Sequence, residues 1–190
     1  NVVAKISMAE TLSLADTAKV LDTDALRATV EAITSSTRVD IFGVGASSIV
    51  GLDLQRKLTR IGRTALEWSA PHAAWTSAAT LGPGNVAIAV SHTGATTDTI
   101  EFLLLARQAG ATTIAITNHA GSPLAGQADI VLTTAARETG FRSGALGSRI
   151  AQLMVVDCIF IGVAQSNYDR SMEALRDTYA AVHRSRIGEQ

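Results

Sequence analysis

Apolar positions along the chain fall into two regimes. Short continuous runs stand at Val39 to Phe42, Thr64 to Trp68, Val86 to Val90, Thr112 to Thr117 and Ile130 to Thr133, each the length of a strand. Between them lie stretches of helical length: Ser48 to Ile61, Pro71 to Ala79 and Thr97 to Ala109. Strand and helix in alternation predict parallel βαβ units. A strand covered by helices on both faces loses the alternation of inward and outward residues, and Val86-Ala87-Ile88-Ala89-Val90 has none. The pattern therefore predicts an α/β fold whose five-stranded parallel sheet is central and doubly covered.

Helices are predicted at both ends. Ser7-Met8-Ala9-Glu10 has capping-box spacing ahead of Leu12 and Ala15, and Asp22 is placed to cap a second helix carrying Leu26, Val30 and Ile33. After the fifth strand a long helix runs from about Ala145 to Gln165. Its segment from Leu153 to Ile161 is apolar on nearly every face, which a helix in water tolerates when it is buried all round, in part by another subunit. The last helix, about Tyr168 to Arg184, puts Met172, Leu175, Tyr179 and Val182 on one stripe, which either covers the chain's own sheet or seams two subunits together.

Composition narrows the function classes. The 190 residues suit one sizeable core, and 16 Lys+Arg against 17 Asp+Glu give a net charge of -1, without the clustered cations that grip a nucleic acid backbone. DNA contact is therefore expected from elsewhere. Cys158 is the single cysteine, so no intramolecular disulfide forms and no Cys/His zinc motif exists; a reducing cytoplasm is the expected compartment. The apolar stretch Leu153 to Ala164 is broken by Asp157 and falls short of the roughly 20 residues that span a bilayer. With neither an initiator Met nor an apolar signal region at Asn1-Val2-Val3-Ala4-Lys5, the chain is expected to be part of a longer protein.

Two strand-to-helix loops carry candidate chemistry, since ligands of open parallel sheets bind at the carboxyl ends of strands. The first, Gly43-Val44-Gly45-Ala46-Ser47-Ser48, begins like a dinucleotide fingerprint, with Ser48 in place of the third glycine and Glu67 available to imitate the ribose-binding acid. Its glycines equally suit a plain tight turn. The second, Ser91-His92-Thr93-Gly94-Ala95-Thr96-Thr97-Asp98, packs four hydroxyls and a glycine at a helix start, where unpaired N–H groups and the helix dipole favour an anion. Capping alone would need one of those hydroxyls. The chain has no Gly-Lys-Ser/Thr, which excludes a nucleotide-hydrolysing P-loop.

These residues resemble the SIS (sugar isomerase) domain, as found in the C-terminal half of RpiR-type bacterial transcriptional regulators. The resemblance runs in order through Gly43-Val44-Gly45-Ala46-Ser47, Asp53 to Gly62, Ser91-x-Thr93-Gly94-x-Thr96-x-Asp98 and Ala115-Ile116-Thr117. It continues through Ser122-Pro123-Leu124-Ala125 with Ala128-Asp129, Glu138-x-x-x-Arg142, and Ser148-Arg149-Ile150-Ala151-Gln152-Leu153 with Asp157. It implies a three-layer αβα sandwich with a five-stranded parallel sheet, flavodoxin-like or Rossmann-like. Residues 37–190 would form the phosphosugar-binding unit, and residues 1–36 the helices leading from an absent DNA-binding domain. It also implies that Ser91, Thr93 and Thr96 hold a phosphate and that Ser47 assists. Ser48 is expected to satisfy backbone groups, Thr97 to turn away, and Asp98 to favour the helix start.

Glu138 follows the fifth strand and can reach the same sheet edge. In sugar-isomerising relatives a glutamate from this region moves a proton between C1 and C2, whereas in a regulator it would hydrogen-bond sugar hydroxyls. Arg142 and Arg149 are candidate anion contacts, with a solvated or interfacial salt bridge the commoner fate. His72, His92, His119 and His183 have no catalytic motif and are read as loop or surface residues. The resulting expectation is a non-enzymatic sugar-phosphate sensor without cofactor or metal, acting in the cytoplasm as a homodimer or homotetramer. The binding set is Ser47, Ser91, Thr93, Thr96 and Glu138. The alternatives are a phosphosugar isomerase with Glu138 as base, and a pyridine-nucleotide enzyme using Gly43, Gly45 and Glu67.

Overall fold

The computed structural model describes residues 1–138 and 145–184. Five strands, β1 (Arg38–Gly43), β2 (Ala65–Trp68), β3 (Asn85–Val90), β4 (Thr112–Thr117) and β5 (Ile130–Thr133), form one parallel sheet in the order β2-β1-β3-β4-β5. Register runs Phe42 to Trp68 and to Ala89, and Val90 to Ile116. Seven α-helices accompany it: α1 (Val2–Val20), α2 (Thr23–Ser35), α3 (Ala46–Arg60), α4 (Pro71–Ala78), α5 (Thr97–Gln108), α6 (Leu146–Ser166) and α7 (Tyr168–Arg184).

The strands bury both faces unequally. Toward α2, α3 and α6 they present bulky branched residues, Val39, Ile41, Val86, Ile88, Val90, Ile114 and Ile116. Toward α4 and α5 they present Ala87, Ala89 and Ala115, and the small side chains leave room for Phe42, Phe102 and Leu103. Phe42 and Phe102 meet with ring centroids 5.6 Å apart. The result is the expected three-layer αβα sandwich.

A buried carboxylate ties three elements on the α4 side. Asp40 of β1 is fully buried and accepts from Arg38 Nε at 2.6 Å, Trp68 Nε1 of β2 at 2.8 Å and Ser77 Oγ of α4 at 2.5 Å. Such a cluster fixes which groups face each other more than it adds net stability, because desolvation offsets most of the attraction.

Two elements differ from the pattern read along the chain. Helix α1 starts at Val2, where the Asn1 side chain accepts from Val3 N, so the Ser7 capping box lies inside the helix and caps nothing. Helix α6 has, by length and composition, what a membrane span needs. Its residues Ala151, Gln152, Val155, Val156, Ile159 and Val163 are buried against the sheet and its neighbours, the placement of a core helix. Asp157 and Ile161 mark its exposed edge. On α7, Leu175 packs on the core, while Tyr179 and Val182 are 65% and 54% exposed; the far half of that stripe does not cover the chain's own sheet.

Asp40→Ala would leave three donors facing a cavity with no acceptor. Its expected cost is about 3 kcal/mol, at the low end for a broken buried pair because Arg38 reaches solvent. Urea denaturation of variant and parent measures it.

Candidate functional site

The direction of chain exit positions the site. From β1 the chain enters α3 on one face, and from β3 it enters α5 on the other, so the β1–α3 and β3–α5 loops separate at adjacent strand ends. Ligands of doubly wound sheets bind at such a switch point. A cavity of about 240 Å³ lies there, walled by residues 44–47 after β1, Val90 to Thr93 and Thr96 after β3, Glu138 after β5, and Ala145, Ser148 and Gln152 of α6. Ser47, Ser91, Thr93, Thr96 and Glu138 are thus brought to one place.

Local backbone geometry forms the walls. Gly45 precedes α3 at φ 61 and ψ -126, a conformation open to glycine alone. Gly94 turns the second loop at φ 63, and a Cβ there would lie 2.1 Å from Ser122 Oγ. Helices α3, α5 and α6 all begin at the cavity; α3 and α5 carry no side-chain cap, whereas an N–H in the first turn of α6 is taken by Glu138. Thr96 stands at the capping position of α5, but its hydroxyl makes no capping bond; it lies 3.3 Å from Ser91 Oγ. Ser91 Oγ accepts from Gly94 N at 3.1 Å and Thr93 Oγ1 from Ala95 N at 3.2 Å. A hydroxyl that accepts from the backbone keeps its own proton to donate. Each helix terminus favours an anion by roughly 0.3–1 kcal/mol when exposed and more in a partly buried site. Among the described lining residues there is no Lys or Arg, so an anion here would be held by N–H and O–H groups.

Glu138 has a structural task as well. Its Oε1 accepts from Ser148 N at 2.8 Å, serving the first turn of α6 from outside the helix. The other residues weighed in the sequence separate cleanly. Ser48 Oγ donates to Gly45 O at 2.7 Å, Thr97 is exposed, and Asp98 opens α5, its carbonyl accepting from Trp75 Nε1. His92 lines the cavity with His119 edge-on behind it, centroids 5.9 Å apart. His72 packs on Trp75 and His183 stacks on Tyr179, both away from the cavity. Arg149 does not line the cavity, and Arg142 lies outside the described residues. No group of three His, Cys, Asp or Glu among the described residues could hold a metal.

Glu67 is not at the cavity. It lies on β2 beneath Gly51 of α3, where a Cβ would come 3.5 Å from its Cγ, and a ribose in the crevice is out of its surroundings. Ser148 and Gln152 belong to the Ser148-Arg149-Ile150-Ala151-Gln152-Leu153 motif, which by itself gives them no role in the site. Only the approach of α6 to the β1 and β3 loops reveals them as lining residues.

A crevice of this kind, at the switch point of a sheet in this strand order, defines a flavodoxin-like α/β binding domain. The chain belongs to the SIS domain family, which it matches over residues 32–162. It is 38% identical over 186 residues to an uncharacterized HTH-type transcriptional regulator of Caldanaerobacter subterraneus, covering 98% of this chain and 66% of that protein. The chain thus spans just under two thirds of that relative. Among solved structures it is similar to the NanR protein of Vibrio vulnificus complexed with ManNAc-6P (TM-score 0.91, 30% identity, 96% of this chain and 69% of that one). It is also similar to the sugar isomerase domain of an RpiR transcription factor from Sphaerobacter thermophilus (TM-score 0.85, 26% identity, 93% and 97%).

Burial pushes the Glu67 carboxyl above its usual range, and its Oε1 is buried without a partner. A carboxyl raised in the folded state binds its proton more tightly there than when unfolded, so its ionisation lowers stability as pH rises through that range. Glu67→Gln is therefore expected to raise the melting temperature at neutral pH. The gain should shrink toward zero below the ordinary glutamate range, a trend that thermal melts across pH would reveal.

Proposed function

We propose that the chain is the phosphosugar-sensing effector domain of a bacterial transcriptional regulator. A sugar phosphate binds in the cavity and controls DNA binding by a helix-turn-helix domain outside this sequence. The observation that carries this is the convergence of the α3 and α5 N-termini, neither capped by a side chain, and the hydroxyls of Ser91, Thr93 and Thr96 on one small cavity. The phosphate sits in the 91–96 loop, Ser47 assists from the first loop, and Glu138 accepts hydrogen bonds from sugar hydroxyls. The concave, partly polar lining of about 240 Å³ is consistent with a small phosphorylated ligand. The names of the relatives support the regulatory half. No reaction is carried out: Glu138 binds rather than moves a proton.

Residues 37–190 form the sensing unit, and residues 1–36 connect it to the DNA-binding domain. A physical route joins site and connection. Helix α1 packs along α6, Thr17 Oγ1 of α1 accepts from Ala135 N at 3.0 Å, and Asp16 pairs with Arg137 at 3.0 Å. Both contacts fall on the segment that delivers Glu138, so a ligand that draws on Glu138 or on the start of α6 also loads α1. Copies associate as a homodimer or homotetramer in the cytoplasm, through exposed apolar residues such as Val3 and Met8 of α1 and Tyr179 of α7. Light scattering at the mass of a single chain would remove that part.

A sugar phosphate is expected to raise the melting temperature and its dephosphorylated form to leave it unchanged. The double change Ser91→Ala and Thr93→Ala should abolish the shift; a double variant that binds as tightly as the parent would place the phosphate elsewhere. A sensor leaves the carbon-bound hydrogens of its ligand alone, whereas an isomerase exchanges them with solvent. Incubation with the tightest-binding sugar phosphate in deuterated water should give no label by NMR, while Glu138→Gln weakens binding by roughly 1–3 kcal/mol. Label that disappears in Glu138→Gln would make the protein an enzyme.

A further inference from the structure

One wall residue has no task in phosphate binding. Gln152 stands one turn beyond Ser148 on α6, on the same face, and lines the cavity. It is 1% exposed, and its Nε2 is buried with no hydrogen-bond partner. Its helix neighbours Ala151, Val155 and Val156 are apolar and buried, so a leucine or methionine of similar volume would suit the packing. An amide N–H buried without an acceptor is unfavourable, and native structures rarely leave one unmade unless something else supplies the acceptor.

We propose that Gln152 is a specificity-determining residue of the cavity: its side-chain amide donates a hydrogen bond to an oxygen on the sugar part of the bound ligand. This rests on the phosphosugar function above. Gln152 belongs to α6, a different wall from the 91–96 loop, so the sugar rather than the phosphate is the part it meets. Glu138, bonded to Ser148 N on the same helix, supplies the complementary acceptor. The α6 wall thus offers one donor and one acceptor to the sugar. A ligand with only a phosphate, or with an apolar body in place of the sugar, leaves that donor unmet.

The test uses the protein with Gln152→Leu and Gln152→Met, titrated calorimetrically with a panel of hexose and pentose monophosphates, ManNAc-6P among them, and with inorganic phosphate. Both variants should melt at or above the parent temperature without ligand, since an orphaned amide is removed. They should bind the sugar phosphates roughly tenfold or more weakly, the loss of one buried hydrogen bond, with affinity for inorganic phosphate unchanged. Sugar-phosphate binding equal to the parent's would overturn the role of Gln152 and leave the phosphosugar function standing. An equal loss for inorganic phosphate would overturn it too, as would a lower melting temperature in both variants, which would make the amide a structural group. A parent protein that binds no member of the panel would sink both proposals together.

Discussion

A parallel sheet covered on both faces must send consecutive strands into helices on one side or the other, and in this chain the side changes between β1 and β3. Everything that concerns function depends on that change. Loops leaving neighbouring strand ends in opposite directions cannot close over each other, so a crevice stays open at the carboxyl edge. Helices that start there aim their unpaired N–H groups into it. The site is therefore a consequence of chain direction before it is a matter of particular side chains.

Those side chains then refine a field that already exists. One exposed helix terminus contributes little, roughly 0.3–1 kcal/mol, which is why a single one defines no binding site. Two around one crevice, those of α3 and α5, supplemented by the hydroxyls of Ser91, Thr93 and Thr96, make it favourable to an anion with no Lys or Arg in the described lining. Donors of this kind also discriminate by geometry. An O–H or N–H has a direction, whereas a flexible ammonium would attract any anion of suitable size.

Helix α6 joins the site to the remainder of the molecule. Its first turn is fastened by Glu138, its middle fills the core above β1, β3 and β4, and α1 and α2 pack along it. It therefore links the cavity, at its first turn, to the N-terminal helices on its flank. On the α4 side the Asp40 cluster ties β1, β2 and α4 together.

Much of this was legible along the chain. Continuous apolar runs marked all five strands, and β4 and β5 begin and end where the runs do. The hydroxyls of the 91–96 loop exceed what capping one helix requires, and the structure sets Ser91, Thr93 and Thr96 on the cavity wall. Local patterns misled where they were not unique: Ser7-Met8-Ala9-Glu10 fits a capping box, yet the helix was already under way from Asn1. Glu67 stood at the right place in sequence for a ribose contact, and β-strand alternation turned it under α3 instead. The tertiary structure alone decided that α6 starts at the same crevice as α3 and α5, bringing Ser148 and Gln152 to a loop more than fifty residues earlier. Sequence spacing carries the period of a helix or a strand; which distant ends meet is settled by how the layers pack.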